Sequence, residues 1–302
     1  MKITVYTPTY NRADLLPTLY KSLLKQTYQN FEWLIIDDGS SDNTRQVVDD
    51  FISQEMIDIR YFYKKNGGQH TALNMGIEKA EGTLLMDVDS DDYLTDNALE
   101  RIAYWESTIA GKEGYAGVSG LKMHFSGEQI GQKWSGSKEY IDATNLERKA
   151  LGLLGDKAEA YYVEVLKKCY PIPVFEGEND VEKGVLWDRV AYAGYKIRWF
   201  NEKIYCCEYL ESGMSKNMKS NYIKNFQGFT YWRKQSIKMQ STYKEKLCEG
   251  AFFVEIAIQK RLSIGEMAEL VEESVYFIFF SMVYRKLRKV KHAIKRKMQG
   301  NI

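Results

Sequence analysis

Carboxylates crowd into one short stretch of this chain. Residues 84–93, LLMDVDSDDY, run from an apolar segment straight into Asp87, Asp89, Asp91 and Asp92. Aspartates this close repel one another unless a cation lies among them. An all-oxygen donor set suits a hard ion, Mg²⁺ or Mn²⁺, and such an ion usually accompanies a phosphate substrate. The stretch also reads as an acidic turn that caps a helix, because SDDYLTDNALE carries the Asp and Asn residues that favour helix starts. Both readings stand on this stretch alone.

The elements that would position these groups are readable around it. MKITVYTPTY (1–10) is a β-rich run, followed by a polar turn at Asn11 and Arg12 and a helical spacing through Leu15, Leu16, Leu19, Leu23 and Leu24. A second apolar strand, Phe31 to Ile36, ends in Asp37 and Asp38, and GSSDNT then opens a helix. Residues 59–63 read as a third strand, HTALNMGIEKA as a third helix and residues 84–89 as a fourth strand. This β-α-β-α-β-α-β order of near-continuous apolar strands implies a parallel sheet covered on both faces. Polar groups at the carboxyl ends of such strands line a ligand crevice. TPTYNR, DDGSSD and DVDSDD are thereby delivered to one edge.

TPTYNR (7–12), DDGSSDNT (37–44), NGGQHTALNMGI (66–77) and VDSDD (88–92), in that order and spacing, resemble the nucleotide-sugar half of the family 2 inverting glycosyltransferases with the GT-A fold. The likeness is strong from residue 1 to about 125 and looser to about 215. It implies a UDP- or other NDP-sugar donor, with Thr7, Pro8, Thr9, Asn11 and Arg12 around the nucleoside and Asp38 accepting a bond from the base. It also implies a metal at Asp89 and Asp91, while Asp87 stands where the family usually has an apolar residue. Many relatives carry an Arg where Leu73 stands, so phosphate contact would fall to Lys64, Lys65 or Arg12.

The chemistry of that match can be stated from the residues. Transfer from a nucleotide sugar leaves a diphosphate, whose growing charge must be met by a cation and backbone donors. Gly67 and Gly68 allow the backbone close to a ligand, and Asn66, His70 and Asn74 add polar reach around them. The glycine pair also fits an ordinary turn, and His70 a polar helix start. A general base must take the proton of the acceptor hydroxyl. In the family a Glu-Asp pair precedes a tryptophan on a helix. With Trp187 as the frame, Glu182 takes the first acidic position and Lys183 replaces the second. Glu182 is the expected base, with Asp180 as the alternative; a first-turn acid favoured by the helix dipole is the plainer reading of Glu182.

Composition narrows the classes. The 302 residues suffice for one or two domains with a substantial core, and a formal net charge of +1 speaks against a dedicated nucleic-acid binder. The four cysteines have no zinc-like spacing and fit reduced thiols in a cytoplasmic protein. Lys2 leads directly into the first strand, so no secretory signal is expected there. No apolar run approaches the ~18 residues a membrane span needs, which excludes polytopic polymer-secreting synthases. From about Lys216 the alternation of strand and helix stops, and the pattern becomes helical. Near the end, apolar residues 275–284 adjoin Arg285, Lys286, Arg288, Lys289, Lys291, Lys295, Arg296 and Lys297. This suits a helix lying in the interface of an anionic membrane, or equally a core helix with a solvated basic face.

The combined expectation is an α/β protein with a Rossmann-like, mixed and mainly parallel GT-A sheet and a helical C-terminal extension. Residues 1–215 form the glycosyltransferase domain, with 1–125 as the nucleotide-sugar half and 126–215 as the acceptor half; residues 216–302 are the helical region. The expected activity is metal-dependent, inverting transfer of a sugar to a bacterial surface-glycan or lipid-linked acceptor. The expected location is cytoplasmic, with peripheral attachment to the inner face of the cytoplasmic membrane. Two alternatives remain: a nucleotidyltransferase, for which TPTYNR lacks the glycine-rich loop, and a catalytically silent NDP-binding relative, which Lys183 keeps open.

Overall fold

The computed structural model describes residues 1–132, 138–208 and 218–299, with side chains through residue 291. By compactness the chain divides into unit 1, Met1–Ile172 with Leu186–Leu210, and unit 2, Pro173–Val185 with Glu211–Ile302.

Unit 1 opens with β1 (Ile3–Thr9) and β2 (Phe31–Asp37), every residue of which is buried, as strands covered on both faces require. Between them α1 (Leu16–Leu24) starts with Pro17 in its first turn and buries Leu16, Leu19, Tyr20 and Leu23, one stripe at helical spacing. α2 (Thr44–Ile52), β3 (Asp58–Tyr63), α3 (Gln69–Lys79) and β4 (Leu84–Asp87) continue the alternation. The four strands are parallel, with Ile3 opposite both Phe31 and Leu84, Thr9 opposite Asp37, Tyr6 opposite Asp87, and Asp37 opposite Tyr63. This register brings the carboxyl ends of β1, β2 and β4 to one edge, as the strand pattern predicts.

The rest of unit 1 is mixed. β5 (Tyr93–Leu94), α4 (Ala98–Ser107), β6 (Tyr115–Met123), β7 (Tyr140–Ala143), β8 (Lys157–Tyr162), α5 (Val163–Cys169), α6 (Gly184–Tyr192) and β9 (Lys196–Cys206) follow in order. The strands join one sheet in the order β3-β2-β1-β4-β8-β6-β9-β5, with β7 pairing β9. β8 is antiparallel to both β4 and β6, whereas β9 runs parallel to β6 and sets Lys122 opposite Tyr205. The core contains stacked aromatics: Tyr20 on Phe51 with centroids 4.1 Å apart, and Trp105 on Phe200 at 4.6 Å. Within the sheet, Glu32 of β2 is fully buried, yet it accepts from Thr4 Oγ1 (2.6 Å), the Glu81 N–H (2.8 Å) and Arg60 Nη1 (2.9 Å). Burial by itself would raise its pKa, but these donors hold it below the usual glutamate value.

Unit 2 is helical, as the loss of alternation predicts: α7 (Met218–Lys224), α8 (Phe226–Met239), α9 (Tyr243–Ala257), α10 (Ile264–Val271) and α11 (Val275–Gln299). Its own core gathers Phe229, Phe253, Ile256, Val271, Phe277 and Ile278. Thr242 with Glu245 and Ser263 with Glu266 form reciprocal capping boxes that start α9 and α10. The expected boundary near Lys216, and the side chains of Lys295, Arg296 and Lys297, lie outside the described residues. Among the described residues no helix is long and apolar enough to cross a membrane.

Candidate active site

The edge begins with a clasp between two loops. Asn11 has φ 52°, a left-handed conformation that asparagine tolerates better than most residues. Its Oδ1 accepts from the Ser41 N–H at 2.8 Å, and its own N–H donates to Ser40 Oγ at 2.9 Å. Thr7 Oγ1 accepts from Trp33 Nε1 at 3.0 Å inside the core, and the backbone carbonyl of Thr9 accepts from the Asp38 N–H at 2.8 Å. Among the described residues the buried hydroxyls of Tyr6 and Thr9 find no hydrogen-bond partner. Burial drives the Tyr6 phenol well above its usual pKa, and the charges of Asp87, Asp89 and Asp38 push it the same way.

Asp38 organises the next loop. Its two oxygens accept from the Gly67 N–H (3.0 Å) and the Gly68 N–H (2.7 Å), with Lys64 Nζ as an ion-pair partner. Asn66 Nδ2 donates to the Asp38 carbonyl at 2.8 Å. Gly68, with φ 90°, is the residue at which α3 begins, so glycine there supplies a conformation that side chains rarely adopt. His70, two residues on, is fully buried, and that burial lowers its pKa to about 4, which keeps it neutral at physiological pH. Both polar groups of Asn74 engage the backbone of Ile172, at 2.8 and 2.9 Å. Asn74 therefore fastens a distant segment to α3, while Leu73 lies in the core.

The carboxylates after β4 are held by groups that no motif announces. Tyr205 on β9 bridges two of these residues: its Oη accepts from the backbone N–H of Asp89 at 3.0 Å and donates to Asp92 Oδ2 at 2.7 Å. Lys122 on β6 sets its ammonium 3.8 Å from the centroid of the Tyr205 ring. Burial would lower the Lys122 pKa, but Asp89 and Asp92 more than reverse this and raise it. Asp92 is pushed up to about 7, first by burial and then by the charge of Asp89. Arg12 Nη1 meets Asp91 Oδ2 at 2.6 Å. Four carboxylates thus share one strand end with two cations, Arg12 and Lys122.

This donor set fits a hard divalent ion. Asp89 and Asp91 offer oxygen ligands alone, and ions such as Mg²⁺ are commonly held by one or two carboxylates with phosphate oxygens completing the shell. Among the described residues no three His, Cys, Asp or Glu side chains form a ready-made cage.

The expected base lies in unit 2. Glu182 Oε1 accepts from the Tyr222 hydroxyl at 2.7 Å, and Asp180 accepts from Asn221 Nδ2. Burial raises both carboxyl pKa values, with these hydrogen bonds as partial offsets. In unit 1 the framing Trp187 stacks on Tyr161 with centroids 4.4 Å apart.

Residues 4–144 match the family model described as glycosyl transferase family 2. Glycosyltransferase GlyG of Streptococcus pneumoniae is 41% identical over 101 residues, 33% of either chain. An uncharacterised glycosyltransferase of Rickettsia conorii is 42% identical over 99 residues, 33% of this chain and 16% of that one. The chain thus spans a third or less of the length of these curated relatives. Among solved structures, Staphylococcus aureus TarS 1–349 in complex with UDP-GlcNAc superposes with a TM-score of 0.60 at 18% identity, over 95% of this chain and 92% of that one. The mannosyltransferase PcManGT of Pyrobaculum calidifontis, in complex with GDP-Man and Mn²⁺, gives 0.54 at 15% identity over 95% and 87%. Residues 4–144 are thus similar to family 2 glycosyltransferases, and the chain shares the fold of these solved GT-A glycosyltransferases.

Proposed function

We propose that the protein transfers a sugar from a nucleoside diphosphate sugar to an acceptor hydroxyl, with inversion at the anomeric carbon. The carrying observation is the convergence of Asp89 and Asp91 with Arg12 and Lys122 at the strand ends of a family 2 domain. The β1 and β2 loops enclose the nucleoside, and Asp38 acts by holding the Gly67–Gly68 turn as well as by the expected contact with the base. Asp89 and Asp91 would hold Mn²⁺ or Mg²⁺, which supplies positive charge to the departing diphosphate. Arg12 and Lys122 add charge at the same edge.

Glu182 removes the acceptor hydroxyl proton as that oxygen bonds to the anomeric carbon and the bond to the diphosphate oxygen breaks. A single displacement of this kind inverts the centre. Burial raises the Glu182 pKa above the ordinary glutamate value, which makes it a better proton acceptor. UDP is the favoured nucleotide, because the TarS structures with the same fold hold UDP and UDP-GlcNAc. A surface-glycan or lipid-linked acceptor is the proposed partner. Titration of UDP- and GDP-sugars with and without Mn²⁺, followed by assay of free nucleotide release, tests the reading. Metal-dependent binding with turnover supports it, and binding without turnover on any acceptor would favour a silent relative.

A further inference from the structure

α11 has two unlike faces. Phe277, Ile278 and Ser281 are buried in the unit 2 core, and α9 comes so close that a Cβ on Gly250 would lie 2.4 Å from Ser281 Oγ. Away from that contact, Tyr276, Phe279, Phe280, Val283, Leu287 and Val290 are between 38% and 73% exposed. Their spacing places all six within an arc of about 100°, the width of a complete apolar stripe. A stripe of this size on a soluble surface calls for a covering partner.

The charges around the stripe identify that partner. By helical spacing Lys286 and Lys291 flank it on either side, with Arg285, Arg288 and Lys289 farther round. Between Val275 and Lys291 there is no Asp or Glu. A second copy of the chain would bring basic flanks together with no acid on this helix to pair them. We propose that α11 is a membrane-docking helix: its aromatic and aliphatic stripe enters the interface of a bilayer, and its basic flanks meet anionic lipid phosphates. The helix lies in the plane of the interface, since its opposite face is committed to the protein core. This inference stands on α11 alone and holds whether or not the transfer reaction proposed above is correct.

Co-sedimentation of the full chain with phosphatidylcholine vesicles, with and without phosphatidylglycerol, tests it without donor or acceptor. The protein should pellet with the phosphatidylglycerol vesicles and be released at about 1 M salt, where screening is short-ranged. Phe279→Gln with Phe280→Gln should weaken binding by about tenfold or more. Lys286→Glu with Lys291→Glu should abolish the preference for anionic vesicles. All four residues are on the solvent side of α11, so thermal unfolding should be nearly unchanged. Three results would overturn the proposal: wild-type protein left in the supernatant with anionic vesicles, undiminished binding by the double-Gln variant, or a dimer in velocity sedimentation that the Gln substitutions dissociate.

Discussion

The edge of the unit 1 sheet and the helices of unit 2 solve the problem of buried charge differently. At the edge, the Gly67 and Gly68 N–H groups hold Asp38, and the Tyr205 phenol, with Lys122 over its ring, bonds the Asp89 N–H and the Asp92 carboxylate, so that three separate segments supply the partners. In unit 2 the buried Arg233 of α8 pairs with Glu249 of α9, Glu245 and Glu266 are kept at helix starts in their capping boxes, and the interior is aromatic and aliphatic. On the proposed function the first arrangement preorganises carboxylates for a cation and a phosphate; the second is a conventional hydrophobic core. Substitutions should therefore change chemistry at the edge and stability in the helices, with Glu182 as the exception that tests the division.

The largest effect is expected there. Glu182→Gln should lower kcat by about 10²–10⁴, the usual contribution of a general base, while leaving nucleotide affinity unchanged. The rate should rise with pH through the raised Glu182 pKa, because only the deprotonated carboxylate accepts a proton, and this limb should vanish in the variant. Wild-type turnover by Glu182→Gln with loss in Asp180→Asn would move the base to Asp180. Next in size, Phe253→Ala should cost about 3–5 kcal/mol of stability, since the ring is fully buried in unit 2, readable by denaturant unfolding. A loss under about 1 kcal/mol would mean this core is looser than its packing indicates.

Asp38→Ala should weaken nucleotide binding by about 1–3 kcal/mol, because the Gly67 and Gly68 N–H groups lose a charged acceptor. Calorimetry with UDP reads this, and unchanged affinity would separate the turn from the nucleotide. The smallest effect concerns Glu32. Its folded pKa lies below the ordinary value of 4.5, so its stabilisation is complete above that pH and is lost as the pH falls through the depressed value. The stability of wild type should therefore drop more steeply on acidification than that of Glu32→Gln; parallel acid limbs would refute this.

The sequence disclosed the edge wherever one segment carries both the strand and its chemistry. Long apolar runs ending in aspartate at Asp37 and Asp87 required no partner to be read. Lys122 and Tyr205 escaped because they reach the carboxylates only through β6–β9 pairing; the one local hint was a lysine inside the otherwise uncharged strand YAGVSGLKM. Asn74 shows the opposite case. Its place in a donor-site motif suggests ligand contact, yet its partner Ile172 lies 98 residues away. For α11 the sequence supported both a core helix and an exposed basic one, and the helix presents the two characters on opposite faces.

The proposed function depends most directly on Asp89 and Asp91 as a cation site for a nucleoside diphosphate. Calorimetric titration of UDP and GDP into wild type and Asp91→Ala, each with Mn²⁺ and with a chelator, measures that claim. Wild type should bind one of the two nucleotides at least about tenfold more tightly with Mn²⁺, a difference of about 1.4 kcal/mol, and Asp91→Ala should lose this metal dependence while unfolding at the same temperature. Equal wild-type affinity with and without the ion, or full metal dependence in Asp91→Ala, would contradict it.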